Sequence, residues 1–160
     1  MELYLRYGPA LLRQCERILG NRSDAEDVVQ TLFEELLTRN RQSETLPYLY
    51  RACTNRCLNL MRNARRRAEL LQNAMPSMEP PPQISLENRT VGISLLSKLV
   101  QRLDKKSAEI LVYRYLDDMG QAEIASLTGL TRQTVSKHLD KISREAKKVI
   151  EAAEQTGGAQ

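Results

Sequence analysis

At 160 residues the chain is long enough for one ordinary domain or two small ones, and too short for a large multidomain machine. Hydrophobic residues make up 41% and charged residues 28%, as in globular proteins, but aromatics reach only 4% with no Trp, so any core is aliphatic. The net charge of +4 permits a polyanionic partner; with no signal-like N-terminus and no run near the roughly 18 apolar residues of a membrane helix, a cytoplasmic location is expected.

From the N-terminus, Tyr4, Tyr7, Leu11, Cys15 and Ile18 recur in steps of three and four, which predicts one buried helical face. Gly8-Pro9 either kinks that helix or marks its start. Gly20-Asn21-Arg22 breaks the pattern, and Ser23-Asp-Ala-Glu26 reads as a capping box that opens a second helix. The apolar stripe of that helix is Val29, Leu32, Phe33, Leu36 and Leu37, leaving Asp27, Gln30, Thr31 and Glu34 together on a polar, acidic face.

A third helix is predicted over residues 46–71, buried through Leu49, Cys53, Cys57, Leu60 and Ala64. Between Thr45 and Ala68 it carries Arg51, Arg56, Arg62, Arg65, Arg66 and Arg67 and no acid. Tyr48, Tyr50, Asn55, Asn59 and Asn63 add stacking faces and amides to the same helix, a combination suited to single-stranded or distorted DNA. The plainer alternative is a solvated charged surface.

Three consecutive prolines within residues 75–83 can neither continue a helix nor donate to a sheet, so this segment is expected to be an extended linker. The expected organisation is two small helical domains, 1–75 and 91–153, joined by a Pro-rich linker at 76–90 and followed by a disordered tail at 154–160. In the second block Leu96, Leu99 and Leu103 predict one helix, and Ala108, Leu111, Val112, Tyr115 and Leu116 predict another. No alternation of period two occurs, so the fold class is expected to be all-α.

Residues 121–139 have the grammar of a helix-turn-helix. Ala125 is small where two helices cross, Gly129 tolerates a left-handed turn, and Val135 plugs the second helix onto the first, with Ile124, Leu127, Leu130 and Leu139 filling the interior. Thr131 stands at the N-cap of the second helix, which then presents Arg132, Gln133, Ser136 and Lys137 at the end that enters a major groove. Arg suits guanine and Gln suits adenine there, while Lys141, Arg144, Lys147 and Lys148 are candidates for phosphates.

The inventory for catalysis is thin: one His, no glycine-rich phosphate loop and no nucleophile elbow, so no enzyme is expected. Cys53 and Cys57 lie one turn apart, but the further soft donors are Cys15 and His138, so no metal and no cofactor are expected. The three cysteines read as small core residues and His138 as a helix-surface residue.

Taken together, Ser-Asp-Ala-Glu-Asp-Val-Val-Gln30 followed by Leu32-Phe33, and Pro47-Tyr-Leu-Tyr-Arg-Ala-Cys-Thr-Asn-Arg-Cys-Leu-Asn-Leu-Met-Arg62 with its Arg tail, resemble region 2 of bacterial extracytoplasmic-function sigma factors. Residues 103–139 resemble region 4 of the same family, and the likeness spans 3–73 and 93–152. The resemblance implies a sigma factor that directs core RNA polymerase to promoters. Region 2 would dock on the β′ clamp helices and open the −10 element; region 4 would bind the β flap and read the −35 element.

Carried over by position, Asp24, Asp27, Gln30, Thr31 and Glu34 fall on the polymerase-docking helix. Tyr48, Arg51, Asn55 and Arg56, then Asn59, Arg62, Arg65 and Arg66, fall on the −10 helix. Thr131, Arg132, Gln133 and Thr134, then Ser136, Lys137 and Lys141, fall on the −35 helix. An anti-sigma factor is a further implied partner. The family usually has Trp at Tyr48, Asp at Asn59, Leu-Pro at Leu103-Asp104, Arg at Ala108 and Ser at Gly120, with a longer segment between Thr38 and Pro47. Two other readings of the residues stay open: a self-contained helix-turn-helix regulator that binds an operator, and a helical interaction protein that never touches DNA. The acidic face at 27–34 separates the sigma reading from the first.

Overall fold

The computed structural model describes residues 2–41, 44–74 and 89–158. These are helical apart from short turns, with no strand among them, so the fold is all-α. The chain divides into two units, Met1–Ile93 and Ser94–Gln160. Residue 75, positions 76–88 of the expected linker and the last two residues of the expected tail lie outside the described residues, while 89–90, expected in the linker, begin a helix.

The first unit holds α1 (Glu2–Leu19), α2 (Arg22–Thr38) and α3 (Leu46–Ala74), each packed on the other two. Leu11, Cys15 and Ile18 of α1 meet Ala25, Val29, Leu32 and Leu36 of α2 and Leu49, Cys53, Cys57 and Leu58 of α3 in an aliphatic core. Pro9 neither starts nor ends α1. It has no N–H to donate to the Leu5 carbonyl, and the cost is limited because both residues are exposed. Tyr4 is displaced from the predicted stripe: it is 50% exposed and meets Phe33 edge-on, ring centroids 5.1 Å apart.

The start of α2 differs from the capping box predicted at Ser23. Asn21 is the N-cap, and its side-chain oxygen accepts the amides of Ser23 at 2.9 Å and Asp24 at 3.4 Å. Glu26 pairs with Arg22 at 2.9 Å instead of reaching back to a cap. Gly20, at φ +67°, makes the left-handed exit from α1 that lets Asn21 follow directly.

Two predicted core stripes also shift. Leu37 is exposed while Ala25 and Val28 are buried, because the stripe of α2 is centred one residue earlier than its Leu-Leu pair suggests. In α3 the buried line runs Leu49, Cys53, Cys57, then Leu58 and Met61, leaving Leu60 and Ala64 exposed. No residue of α3 beyond Met61 is fully buried; Arg62 and Arg65 are half-buried and Asn63, Ala64, Arg66 and Arg67 are exposed.

The second unit is built from the C-terminal part of α4 (Arg89–Arg102), then α5 (Lys105–Leu111), a π-helical turn (Val112–Leu116), α6 (Gln121–Thr128) and α7 (Arg132–Gly157). Its core is Leu96, Val100, Leu103, Ala108, Ile110, Val112, Tyr113, Ile124, Val135, Ile142 and Val149. Val100 takes the buried position expected of Leu99. The π turn, closed by Asp117 N–H donating to the Val112 carbonyl at 3.1 Å, inserts an extra residue and breaks the 3.6 period. Tyr113 is therefore fully buried, its hydroxyl donating to Glu109 Oε1 at 2.9 Å, while Tyr115, predicted to be core, is 58% exposed. Residues 154–157, expected in a disordered tail, belong to α7.

Candidate nucleic-acid interface

The turn between α6 and α7 is made as the helix-turn-helix pattern requires. Gly129 ends α6 at φ 71°, ψ 15°, and a Cβ there would meet nothing within 4 Å, so the demand for glycine is one of backbone conformation alone. Thr131 is extended and caps α7, accepting the Thr134 amide at 3.2 Å; its hydroxyl also shares a 2.8 Å bond with that of Thr134. Both threonine hydroxyls thus hold the start of the helix. Ile124 and Val135 are fully buried beneath the turn, and Ala125, Leu127, Leu130 and Leu139 are half-buried around them.

This places Arg132, Gln133 and Lys137 in solvent on the first two turns of α7, with Ser136 half-buried beside them. Lys141 is turned away from that face: its Nζ donates to Asp104 Oδ1 at 2.8 Å. Asp104 also caps α5, accepting the Ser107 amide at 3.2 Å and the Ser107 hydroxyl at 2.7 Å. His138 Nδ1 lies 2.8 Å from the same hydroxyl, so His138 is half-buried in this network and not on the open helix surface. Burial pushes the Asp104 carboxyl up, but the bonds from Lys141 and Ser107 overcome it and hold the group well below the usual aspartate value. Of the other expected phosphate ligands, Arg144 and Lys147 are exposed, while Lys148 pairs with Glu145 at 2.9 Å.

On α3, Tyr48, Asn55, Asn59, Arg62 and Arg66 fall on one stripe at spacings of seven, four, three and four. Tyr48 is 41% exposed, Asn59 and Arg66 are exposed, and Asn55 and Arg62 are half-buried. Arg65 lies off this stripe and pairs with Glu69 at 3.1 Å; Arg51 is half-buried. Arg56 turns to α2, where Nη1 donates to Glu35 Oε1 at 3.2 Å and Nη2 to Oε2 at 2.7 Å. The Arg56 hydrogen bonds and charge hold the Glu35 carboxyl below its ordinary value. Glu35 was absent from the sequence-predicted sites: it stands 21 residues from its partner, and no local pattern marks such a pair.

The α2 face is as polar as predicted. Asp27, Gln30, Thr31 and Glu34 are all exposed, with Gln30 donating to Glu34 at 2.8 Å. Asp24 is set apart from them; it is half-buried and accepts from Asn21 Nδ2 at 3.2 Å, within the cap. Cys15, Cys53 and Cys57 are free thiols buried together in the core. Cys53 and Cys57 are pushed up by their hydrogen bonds to the Cys15 sulfur and by burial, which keeps both as thiols. Among the described residues no helix is long and apolar enough to cross a membrane.

Two family models match the chain, one in each unit. Sigma-70 region 2 matches residues 3–67, which contain α1, α2 and most of α3, and sigma-70 region 4 matches residues 93–142, which contain the helix-turn-helix. No curated protein matches the sequence. Among solved structures, the sigma factor RpoE in complex with the anti-sigma factor NepR from Bartonella quintana is similar, with a TM-score of 0.52 and 14% sequence identity over 94% of this chain and 95% of that one. That likeness is one of fold. With regions 2 and 4 in this order along most of its length, the chain belongs to the sigma-70 family.

Proposed function

We propose that the chain is a dissociable promoter-specificity subunit acting in the bacterial cytoplasm, with all catalysis left to RNA polymerase. Asp27, Gln30, Thr31 and Glu34 on α2 dock on the β′ clamp helices. Tyr48, Asn55, Asn59, Arg62 and Arg66 on α3 engage the −10 element: Tyr48 offers a ring for an unstacked base, the amides meet base edges, and the arginines meet phosphates. Arg132 and Gln133 on α7 read the −35 element in the major groove, with Ser136 and Lys137 beside them, while Thr131 and Thr134 hold the helix end that enters. The second unit also binds the β flap. By analogy with the NepR complex of the Bartonella quintana protein, an anti-sigma factor holds the free subunit in check.

The observation that carries this reading is the separation of charge within one three-helix unit. The exposed face of α2 offers carboxylates and amides, while residues 46–68 of α3 carry six arginines and no acid. A DNA-only protein has no use for the first face, because carboxylates repel phosphate.

The test is charge reversal on each side, read by gel filtration with core polymerase and by binding to a −35 duplex. Asp27→Arg with Glu34→Arg is expected to abolish co-migration with polymerase and to leave duplex binding intact. Arg132→Glu with Lys137→Glu is expected to do the opposite, weakening duplex binding about 100-fold. Loss of neither activity by either pair would refute the assignment.

A further inference from the structure

Arg56 lies on the −10 helix, yet its guanidinium is committed to the docking helix. Both nitrogens of the fork meet both oxygens of Glu35, at 3.2 and 2.7 Å. A two-point contact of this kind fixes angle as well as distance, whereas a single lysine contact would fix only distance. The location matters because α2 packs more sparsely on α3 than on α1. Where the α3 side of the core is lined by the short Cys53 and Cys57 side chains, apolar burial sets how close the helices lie, but it is non-directional and resists rotation of α3 about its axis weakly. On α2, Glu35 directly follows Glu34 of the docking face, and on α3, Arg56 directly follows Asn55 of the −10 stripe. One ion pair therefore joins the two functional faces through adjacent residues.

We infer that Glu35 and Arg56 are positioning residues: their pair sets the azimuth of the Asn55, Asn59 and Arg62 stripe relative to the polymerase-docking face, and Arg56 does not itself contact DNA. This rests on the sigma-factor reading above and deepens it. With side chains 31% and 43% exposed, the pair contributes little to overall stability, so its effect belongs to promoter opening and not to folding.

The experiment measures the rate of promoter opening by holoenzyme reconstituted from the full chain and saturating core polymerase, for the wild type, Glu35→Gln, Arg56→Gln and the exchanged pair Glu35→Arg with Arg56→Glu. The two single variants are expected to slow opening equally, by about fivefold, with melting temperature and −35 duplex binding unchanged. The exchanged pair is expected to recover to within about twofold of wild type. A defect in Arg56→Gln without a matching defect in Glu35→Gln would overturn the inference, since Arg56 would then act on DNA directly. So would no effect in either single variant, or an exchanged pair that melts normally and opens no faster than the singles. If the exchanged pair does not fold, the comparison of the two single variants decides alone. A wild-type chain that opens no promoter would instead refute the sigma-factor reading itself.

Discussion

The two units hold the helices proposed to meet DNA, α3 and α7, differently. In the first, α3 is gripped along a broad apolar line from Leu49 through Cys53, Cys57, Leu58 and Met61, after which no residue of the helix is fully buried. In the second, α7 buries Val135, Ile142 and Val149, one residue in every seven, with Leu139 and Ala146 half-buried between them, and it adds polar contacts. The Thr131 cap and the bonds from Lys141 to Asp104 and around Ser107 and His138 hold it near its N-terminal end. A helix that engages DNA along its length needs a wide apolar footing on one side only. The helix proposed to insert one end into a groove has that end held by directional contacts as well as by its apolar line.

A single change at the centre of the α7 grip is expected to have the largest effect. Val135→Asp places a carboxylate at a fully buried site with no partner, and about 4 kcal/mol or more of lost stability is expected. Calorimetry should show the transition of the second unit lost and that of the first retained; joint loss of both would mean that the units do not fold independently. Gly129→Ala is expected to cost about 1–2 kcal/mol in the second unit alone, since the strain at φ 71° has no steric partner to relieve. Denaturant titration of the variant checks this.

In the first unit, Asn21→Ala is expected to cost about 1 kcal/mol and Ser23→Ala less than about 0.5 kcal/mol. The reverse order in urea unfolding would restore Ser23 as the cap. The smallest effect concerns acid. Asp104 is held below its unfolded value, so its contribution to the second unit is complete above about pH 3.9 and is lost as pH falls through the lower folded value. Asp104→Asn should therefore unfold with a shallower dependence on pH across the acid range than the wild type, as followed by circular dichroism.

The helix-turn-helix was fully legible because its requirements are local: Gly129, Thr131 and Val135 sit within seven residues, and each answers one geometric demand. The acidic face of α2 was legible for the same reason, from helical periodicity alone. What the sequence concealed lies at longer range or between near-equal options. Asn21 and Ser23 are both competent caps, and only the exit of α1 at Gly20 decides between them. The π turn exchanges Tyr113 and Tyr115 because a 3.6 period carried through residue 112 misses the extra residue. Leu60 continues the α3 pattern on paper, but the buried line there runs through Leu58 and Met61 instead, and by Ala64 no residue of α3 is fully buried. Arg56 and Lys141 look like DNA ligands by charge and position; that each also pairs with a carboxylate 21 or 37 residues away has no local signature in the sequence.

The most direct measurement is run-off transcription by core RNA polymerase on a candidate promoter library, with and without the purified chain. Discrete transcripts that require the chain, vanish when either the −35 or the −10 element is scrambled, and fail with both charge-reversed pairs are the predicted result. Transcription no greater or more selective than that of core enzyme alone, from a chain that retains its helical fold, would contradict the account.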